Sequence, residues 1–234
     1  MKSIAEAKPG HVHLWMCEIG ARGNDVDQCR ESLTMEENER AGKFRFDEHR
    51  NRFIRGRAFL REVLSTFCGT GSARELPLAI GEDGKPLVPG SPVAFNLSHS
   101  GDIAVLGIAP MREIGVDVEC FDRRVECLAL ARRYFAPSEI TALEALDGAG
   151  QRQLFFRLWT SKEAAMKATG EGLRIDPRGV EVLLDQAVRP LRYEGRFAPW
   201  YLANQDRGSG NGVTVSVAAP EPFAIVWESD SVSR

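Results

Sequence analysis

Leu154-Phe155-Phe156-Arg157-Leu158-Trp159-Thr160-Ser161-Lys162-Glu163-Ala164-Ala165-Met166-Lys167 runs without glycine or proline and is rich in strong helix formers. It leads into Ala168-Thr169-Gly170-Glu171-Gly172-Leu173, where two glycines stop the pattern, so a helix is predicted up to Thr169. At helical spacing Phe155, Leu158, Lys162, Ala165 and Thr169 share one stripe, and Phe156, Thr160, Glu163 and Lys167 the next. Glu163 and Lys167 thus stand one turn apart at the edge of an apolar face. Alone, that spacing describes a surface ion pair contributing roughly 0.2–0.5 kcal/mol.

The 234 residues are 43% hydrophobic and 27% charged, the balance of a globular protein with room for one large domain or two lobes. A net charge of -3 gives no global basic footprint for nucleic acid. The cysteines at 17, 29, 68, 120 and 127 are odd in number and form no C-x-x-C pair. They read as scattered thiols of a reducing compartment, neither a disulfide framework nor a zinc site. Lys2, Glu6 and Lys8 interrupt the first residues, and no apolar run reaches the length of a membrane span, so a cytoplasmic protein with no membrane partner is expected.

Outward from the helix, the first half opens with a strand from Val12 to Ile19 and a Gly/Asn/Asp turn over Gly20 to Asp25. Thr34-Met35-Glu36-Glu37 is a capping box that launches a long helical region to Phe67, with a break around Gly42 to Asp47. Its apolar side carries Phe53, Phe59, Leu60, Val63, Leu64 and Phe67. Its other faces carry seven arginines, at 40, 45, 50, 52, 55, 57 and 61. Such a face is either solvated through Glu/Arg pairs or an anion site, because guanidinium matches phosphate bidentately. Asp83-Gly84, before Lys85-Pro86-Leu87, marks a hairpin turn. Val93 to Leu97 reads as a strand running into Ser98-His99-Ser100-Gly101-Asp102, a polar tight connection, and Ile103 to Ala109 as the strand beyond it.

Pro110-Met111-Arg112 is the shortest seam between two lobes. In the strand Ile114-Gly115-Val116-Asp117-Val118-Glu119-Cys120, the period of two sends the valines to one face and both carboxylates to the other. Adjacent carboxylates repel unless a cation lies between them, and Mg2+ prefers such hard oxygen ligands. An exposed edge strand is the alternative. Short helices follow around Leu128 to Leu130 and from Pro137 to about Leu146, with a loop at Gly148 to Gly150 before the long helix. Val180 to Leu184, Trp200 to Asn204, Val213 to Ala219 and Phe223 to Glu228 read as an antiparallel meander. The two halves share a coarse strand, helix, strands order.

Asn96-Leu97-Ser98-His99-Ser100, Gly115-x-Asp117-x-Glu119 and Trp159-x-x-Lys162-Glu163-x-x-x-Lys167, in this order, resemble the 4'-phosphopantetheinyl transferases of the Sfp type. The resemblance spans about Thr34 to Leu173 and includes the Gly84-Lys85-Pro86 turn and the Arg133-Tyr134-Phe135 run. It implies an α+β fold of two similar lobes related by a pseudo-twofold, residues 1–111 and 112–234. Each lobe would be a small, largely antiparallel sheet packed against helices, with the active site in the cleft between them. It further implies transfer of the 4'-phosphopantetheine arm of coenzyme A to a serine of an apo acyl or peptidyl carrier protein, releasing adenosine 3',5'-bisphosphate.

Under that resemblance Asp117, Glu119 and Glu163 correspond to ligands of Mg2+, with Mn2+ a substitute. Glu163 also corresponds to the general base, and Lys167 to a pyrophosphate contact in the reaction centre. Ser98, His99 and Arg52 correspond to contacts of the coenzyme A phosphates, with Arg40 a weaker counterpart, and Gly84, Lys85 and Pro86 to the turn along the adenine. Glu36 and Glu37 stand where the family commonly has lysines. A monomer is expected, since both halves of the cleft come from one chain. Arg123, Arg124, Arg132 and Arg133, flanking Leu128, Leu130 and Phe135, are the expected docking surface for an acidic carrier. A Mg2+-dependent nucleotide phosphohydrolase, or a non-catalytic module binding coenzyme A or a carrier, are the alternatives.

Overall fold

A computed structural model of the chain describes residues 7–20, 25–81, 84–122, 124–170, 175–183, 188–208 and 212–228. In chain order the first elements are β1 (His11–Glu18), α1 (Val26–Glu31), α2 (Met35–Gly42), α3 (Asp47–Cys68), β2 (Ala79–Ile80), β3 (Pro86–Leu87), β4 (Ala94–Ser100) and β5 (Ile103–Ala109). There follow β6 (Gly115–Cys120), α4 (Cys127–Tyr134), α5 (Pro137–Glu144), α6 (Gly148–Thr169), β7 (Val180–Glu181), β8 (Val188–Tyr193), β9 (Arg196–Arg207), β10 (Val213–Ala219) and β11 (Ala224–Trp227). The fold is α+β. One sheet has the order β11-β1-β5-β4, the second β6-β10-β9-β8-β7, and β2 pairs with β3 as a small hairpin.

Alternation along the strands builds the layers. Val116 and Val118 of β6 and Val213, Val215 and Val217 of β10 point at Leu14 and Val105 of the first sheet, giving a core between the sheets. The outer face of the first sheet, with Trp15, Phe95, Leu106 and Ile108, is covered by Phe59, Leu60, Val63 and Phe67 of α3. The outer face of the second, with Leu191, Leu202 and Ala218, is covered by Phe155, Leu158, Ala164, Ala165 and Ala168 of α6. β5 is covered on both sides, which is why its residues 104–109 are all buried and carry no polar side chain. β1 pairs antiparallel with β5, which pairs with β4 before it, and in the same way β6 pairs antiparallel with β10, which pairs with β9 before it.

The capping box forms as the sequence predicts: Glu37 N donates to Thr34 Oγ1 at 3.3 Å and Thr34 N to Glu37 Oε2 at 3.0 Å. The break between α2 and α3 falls at 43–46. Most of the arginine face is structural. Glu37 also takes Arg61 at 2.6 Å and Arg57 at 3.5 Å, while Arg55 pairs with Asp25 and Arg50 with Asp47. Arg61, almost wholly buried, further donates to the carbonyls of Ala73, Arg74 and Leu76. Burial of such a group is tolerable because nearly every donor of its fork is used.

Several boundaries differ from the sequence expectation. Ser98, His99 and Ser100 belong to β4, paired with Val105, Ala104 and Ile103, and the turn is confined to Gly101-Asp102, where Gly101 supplies a φ of +56°. The long helix starts at Gly148, not after Gly150, because the Gln151 side chain donates to Leu143 O and Leu146 O and fastens the first turn to the end of α5. α1 and β8 were not expected. Asp83, Leu173 and Leu184 lie outside the described residues. The last strand does not extend the meander: β11 returns to the first sheet and pairs in parallel with β1, His11 opposite Ala224 through Leu14 opposite Trp227. A division at residue 111 therefore puts α3 and α6 on opposite sides but leaves the first sheet with strands from both.

Lys162, on the apolar stripe of α6, is 2% exposed. Its Nζ reaches Glu139 Oε2 at 2.8 Å, donates to Pro177 O at 2.8 Å and to Val180 O, and lies over the Phe135 ring. Glu139 in turn accepts from Ala136 N and Val182 N, both at 2.8 Å. Burial pushes the Lys162 ammonium below the ordinary lysine range and the Glu139 charge opposes it. Lys162→Met strands Glu139 in the core, so urea unfolding should show a loss of about 3–5 kcal/mol. A loss below about 1 kcal/mol, the level of exposed pairs, would contradict this account of the pair.

Candidate functional site

β4 and β6 are edge strands of different sheets, and β4 side chains on one face join them. Asn96 Oδ1 accepts from Val116 N at 2.8 Å. Ser98 Oγ donates to Asp117 Oδ1 at 2.8 Å. Ser100 Oγ donates to Glu119 Oε2 at 2.6 Å and accepts from Cys120 N at 3.3 Å. Spacing by two puts all three on the inward face of β4. The same rule puts Asp117 and Glu119 on the face of β6 that looks at α6, with Gly115 beside them.

Gly115 fixes the approach of the helix. A Cβ at this position would lie 2.0 Å from Ala164 O and 2.4 Å from Ala168 N, so α6 crosses β6 with backbone against backbone. Ala164 and Ala168 are the immediate successors of Glu163 and Lys167, and the contact brings those two side chains to Asp117. Lys167 Nζ lies 2.7 Å from Asp117 Oδ1, 2.9 Å from Ser98 Oγ and 3.3 Å from Val116 O. This corrects the simple i,i+4 reading: Lys167 bonds Asp117 and Ser98 across the seam rather than Glu163.

Asp117 and Glu119 are 6% and 7% exposed. Burial raises the Asp117 carboxyl above the ordinary carboxylate range, against the pull of Lys167 and Ser98. The Glu163 carboxyl is raised first by burial, then by the charge of Asp117 and less by Glu119, with Lys167 opposing. Three carboxylates therefore share one field with one ammonium. Asp117 Oδ2 is buried and has no hydrogen-bond partner among the described residues. Among the described residues no three His, Cys, Asp or Glu side chains stand close enough to hold an ion as they are, and Lys167 takes Asp117 Oδ1. The donor set nevertheless fits a hard dication: an orphaned carboxylate oxygen, two further carboxylates and an excess of negative charge.

The remaining sequence candidates lie around this cluster. Lys85 Nζ donates to Ala168 O at 2.5 Å, tying the Gly84-Lys85-Pro86 hairpin to the end of α6 one residue from Lys167. Lys85 and Pro86 line a pocket of about 360 Å³ with Phe95, Arg112 and Ile114. Arg52 lies at the opposite end of the seam, held by Glu48 and Asp102 at 2.7 Å each. There it borders a cleft of about 820 Å³ with Asp102, Cys120, Asp122 and Arg207. Neither cavity is lined by the three carboxylates, which lie between them. His99 is exposed, and alternation puts it on the α3 side of β4, opposite Ser98 and Ser100, so the structure does not bring it to the cluster. Arg40 lies over the Phe53 ring.

On the expected docking surface Arg124, Arg132 and Arg133 are exposed, Arg132 pairing with Glu144 and Arg133 lying over Tyr134. Phe135 is buried and stacks on Phe155 at 5.4 Å, which removes it from any such surface, and Arg123 lies outside the described residues. Sequence reasoning gave no role to Asn96, Ser100 or Gly115. The Asn-x-Ser-x-Ser alternation was the available signal for the first two.

The 4'-phosphopantetheinyl transferase superfamily model matches residues 113–218, and that of the 4'-phosphopantetheinyl transferase N-terminal region matches residues 22–110. The chain is 35% identical to the 4'-phosphopantetheinyl transferase HetI of Nostoc sp., over 69% of this chain and 70% of that one. It is 32% identical to the putative 4'-phosphopantetheinyl transferase slr0495 of Synechocystis sp., over 80% and 78%. To the 4'-phosphopantetheinyl transferase Sfp of Bacillus subtilis it is 28% identical, over 81% and 84%.

A methyl group at residue 115 meets main chain rather than a yielding side chain. Gly115→Ala should therefore cost at least about 1–3 kcal/mol in urea unfolding, the range of overpacked cores. Unchanged stability would show that α6 does not press on β6 as described.

Proposed function

Because the chain belongs to the 4'-phosphopantetheinyl transferase superfamily, we propose that it moves the 4'-phosphopantetheine arm of coenzyme A onto a serine hydroxyl of an apo acyl or peptidyl carrier protein. The observation that carries this reading is the convergence of Glu163 and Lys167 from α6, Asp117 and Glu119 from β6, and Ser98 from β4 at one partly buried centre. In the reaction the serine oxygen attacks the β-phosphorus of the coenzyme A pyrophosphate. The bond to the bridging oxygen breaks, and adenosine 3',5'-bisphosphate leaves.

Glu163 is the base that takes the serine proton; it is partly buried and lies in the field of Asp117, Lys167 and Glu119. The Lys167 ammonium and the Ser98 hydroxyl are donors already fixed in place, so they can meet phosphate oxygens with little reorganisation. When bound by Asp117, Glu119 and Glu163, Mg2+, or Mn2+ in its place, would neutralise the charge that builds on the pyrophosphate. The Lys85-Pro86 pocket next to the end of α6 is the place for the adenine. Arg52 and His99 are left to the 3'-phosphate, reached from the α3 side of β4. The repeated strand order of the two halves supports a pseudo-twofold pair of lobes with this centre in the cleft between them. The exposed arginines 124, 132 and 133 suit an acidic carrier domain.

Incubation with coenzyme A, Mg2+ and a panel of apo acyl and peptidyl carriers should add one phosphopantetheine mass to at least one carrier. Glu163→Ala and Asp117→Ala should each reduce kcat by about a hundredfold or more, as expected for loss of a general base or a metal ligand. Failure to modify any carrier, or release of inorganic phosphate without one, would overturn the assignment.

A further inference from the structure

The transferase reading gives work to Asp117, Glu119 and Glu163 but none to the residue with the shortest bond into the cluster. Ser100 Oγ donates to Glu119 Oε2 at 2.6 Å, a charge-assisted hydrogen bond. A hydroxyl has one proton to give, and here it goes to the carboxylate while a lone pair takes Cys120 N at 3.3 Å. The Ser100 carbonyl also accepts from Cys120 Sγ at 3.2 Å. Ser100 is therefore held by Glu119 and, through both its hydroxyl and its carbonyl, by Cys120.

The two neighbouring rungs behave differently. Asp117 is held by both Ser98 and Lys167. Asn96 addresses only backbone, at Val116 N. Ser100 is a rung that the first sheet extends directly to the Glu119 side chain. Both residues are nearly inaccessible, at 8% and 7% exposure, so water is a poor substitute for the bond.

We propose that Ser100 is a positioning residue: it holds the Glu119 carboxylate in the orientation that binds a divalent cation, and so links cation affinity to the way β4 and β6 meet. The inference rests on the reading of Asp117, Glu119 and Glu163 as ligands of that ion. Residues that orient ligands from behind typically change metal affinity by about ten- to a hundredfold when their hydrogen bond is removed.

The test compares Ser100→Thr with Ser100→Val, which match in volume and differ in the hydroxyl. Mn2+ alone is titrated into the full chain, without coenzyme A or carrier, and bound ion is read by electron paramagnetic resonance. Thermal melts confirm that both variants are folded. Ser100→Val should weaken Mn2+ binding by about ten- to a hundredfold, while Ser100→Thr stays within about threefold of the parent chain. In a Glu119→Gln background the Thr and Val variants should bind Mn2+ equally, because the group being oriented is gone.

Equal Mn2+ affinity of Thr and Val variants in the parent background would overturn the proposal, as would a parent chain that binds no Mn2+. If one variant fails to fold, Ser100→Ala against the parent chain gives the same reading of the hydroxyl. Loss of Mn2+ affinity in Ser100→Val from a parent chain that modifies no carrier would leave the positioning role standing and the transferase reading refuted. Transfer by a parent chain whose Ser100→Val variant keeps full Mn2+ affinity would do the reverse.

Discussion

The contact between α6 and β6 at Gly115 is the constraint from which the site follows. A helix and a strand normally meet through side chains, which hold their axes about 10 Å apart. Here the absence of a Cβ lets the main chain of Ala164 and Ala168 settle onto the strand. Side chains one position before each alanine then reach carboxylates two and four positions after the glycine. Glu163, Lys167, Asp117 and Glu119 come together because two backbones touch.

The surroundings hold that contact in register. On the far side of α6, Lys162 and Glu139 tie the helix to α5 and to the chain before β7. Beneath it, Thr160 and Ser161 hydroxyls meet Ser216 of β10 at 2.9 and 3.2 Å, and Asn204 of β9 bonds both Ser216 and Thr214. Buried hydroxyls and amides that satisfy one another have few alternative arrangements, so they specify a position better than apolar packing does. At the third side, the β4 rungs draw the first sheet to the same strand. Side-chain bonds in place of a backbone ladder leave the two edge strands free to differ in direction and twist.

The fold was legible wherever local pattern and tertiary environment agree. The capping box, the 3.6-residue stripe of α6, and the alternating valines of β6 and β10 each name an element and a buried face. Asp117, Glu119, Glu163 and Lys167 were legible as a set only through the order of three motifs. Errors arose where a distant partner decides the local state. Ser98-His99-Ser100 looks like a turn because its polar residues have no visible destination in sequence; they are strand because β5 pairs with them and β6 receives the Ser98 and Ser100 side chains. Lys162 falls on an otherwise apolar stripe, and nothing nearby in sequence announces Glu139 as its partner. The arginine face reads equally as paired or as an anion site until Glu37, Asp25 and Asp47 are seen to neutralise most of it. The parallel pairing of β11 with β1 carries no local signal at all.

That last pairing has a consequence for synthesis. β1 lies inside the first sheet, flanked by β5 and β11, yet its second neighbour is the last strand in sequence among the described residues. While the ribosome is still translating residues beyond β5, the first half presents an open strand edge with exposed donors and acceptors. It can pack α3 and pair β4 with β5, but it cannot be finished until residue 227 has left the exit tunnel. The two halves are alike in strand order, yet they are not successive folding units: the first to be synthesised is completed by the last strand of the second.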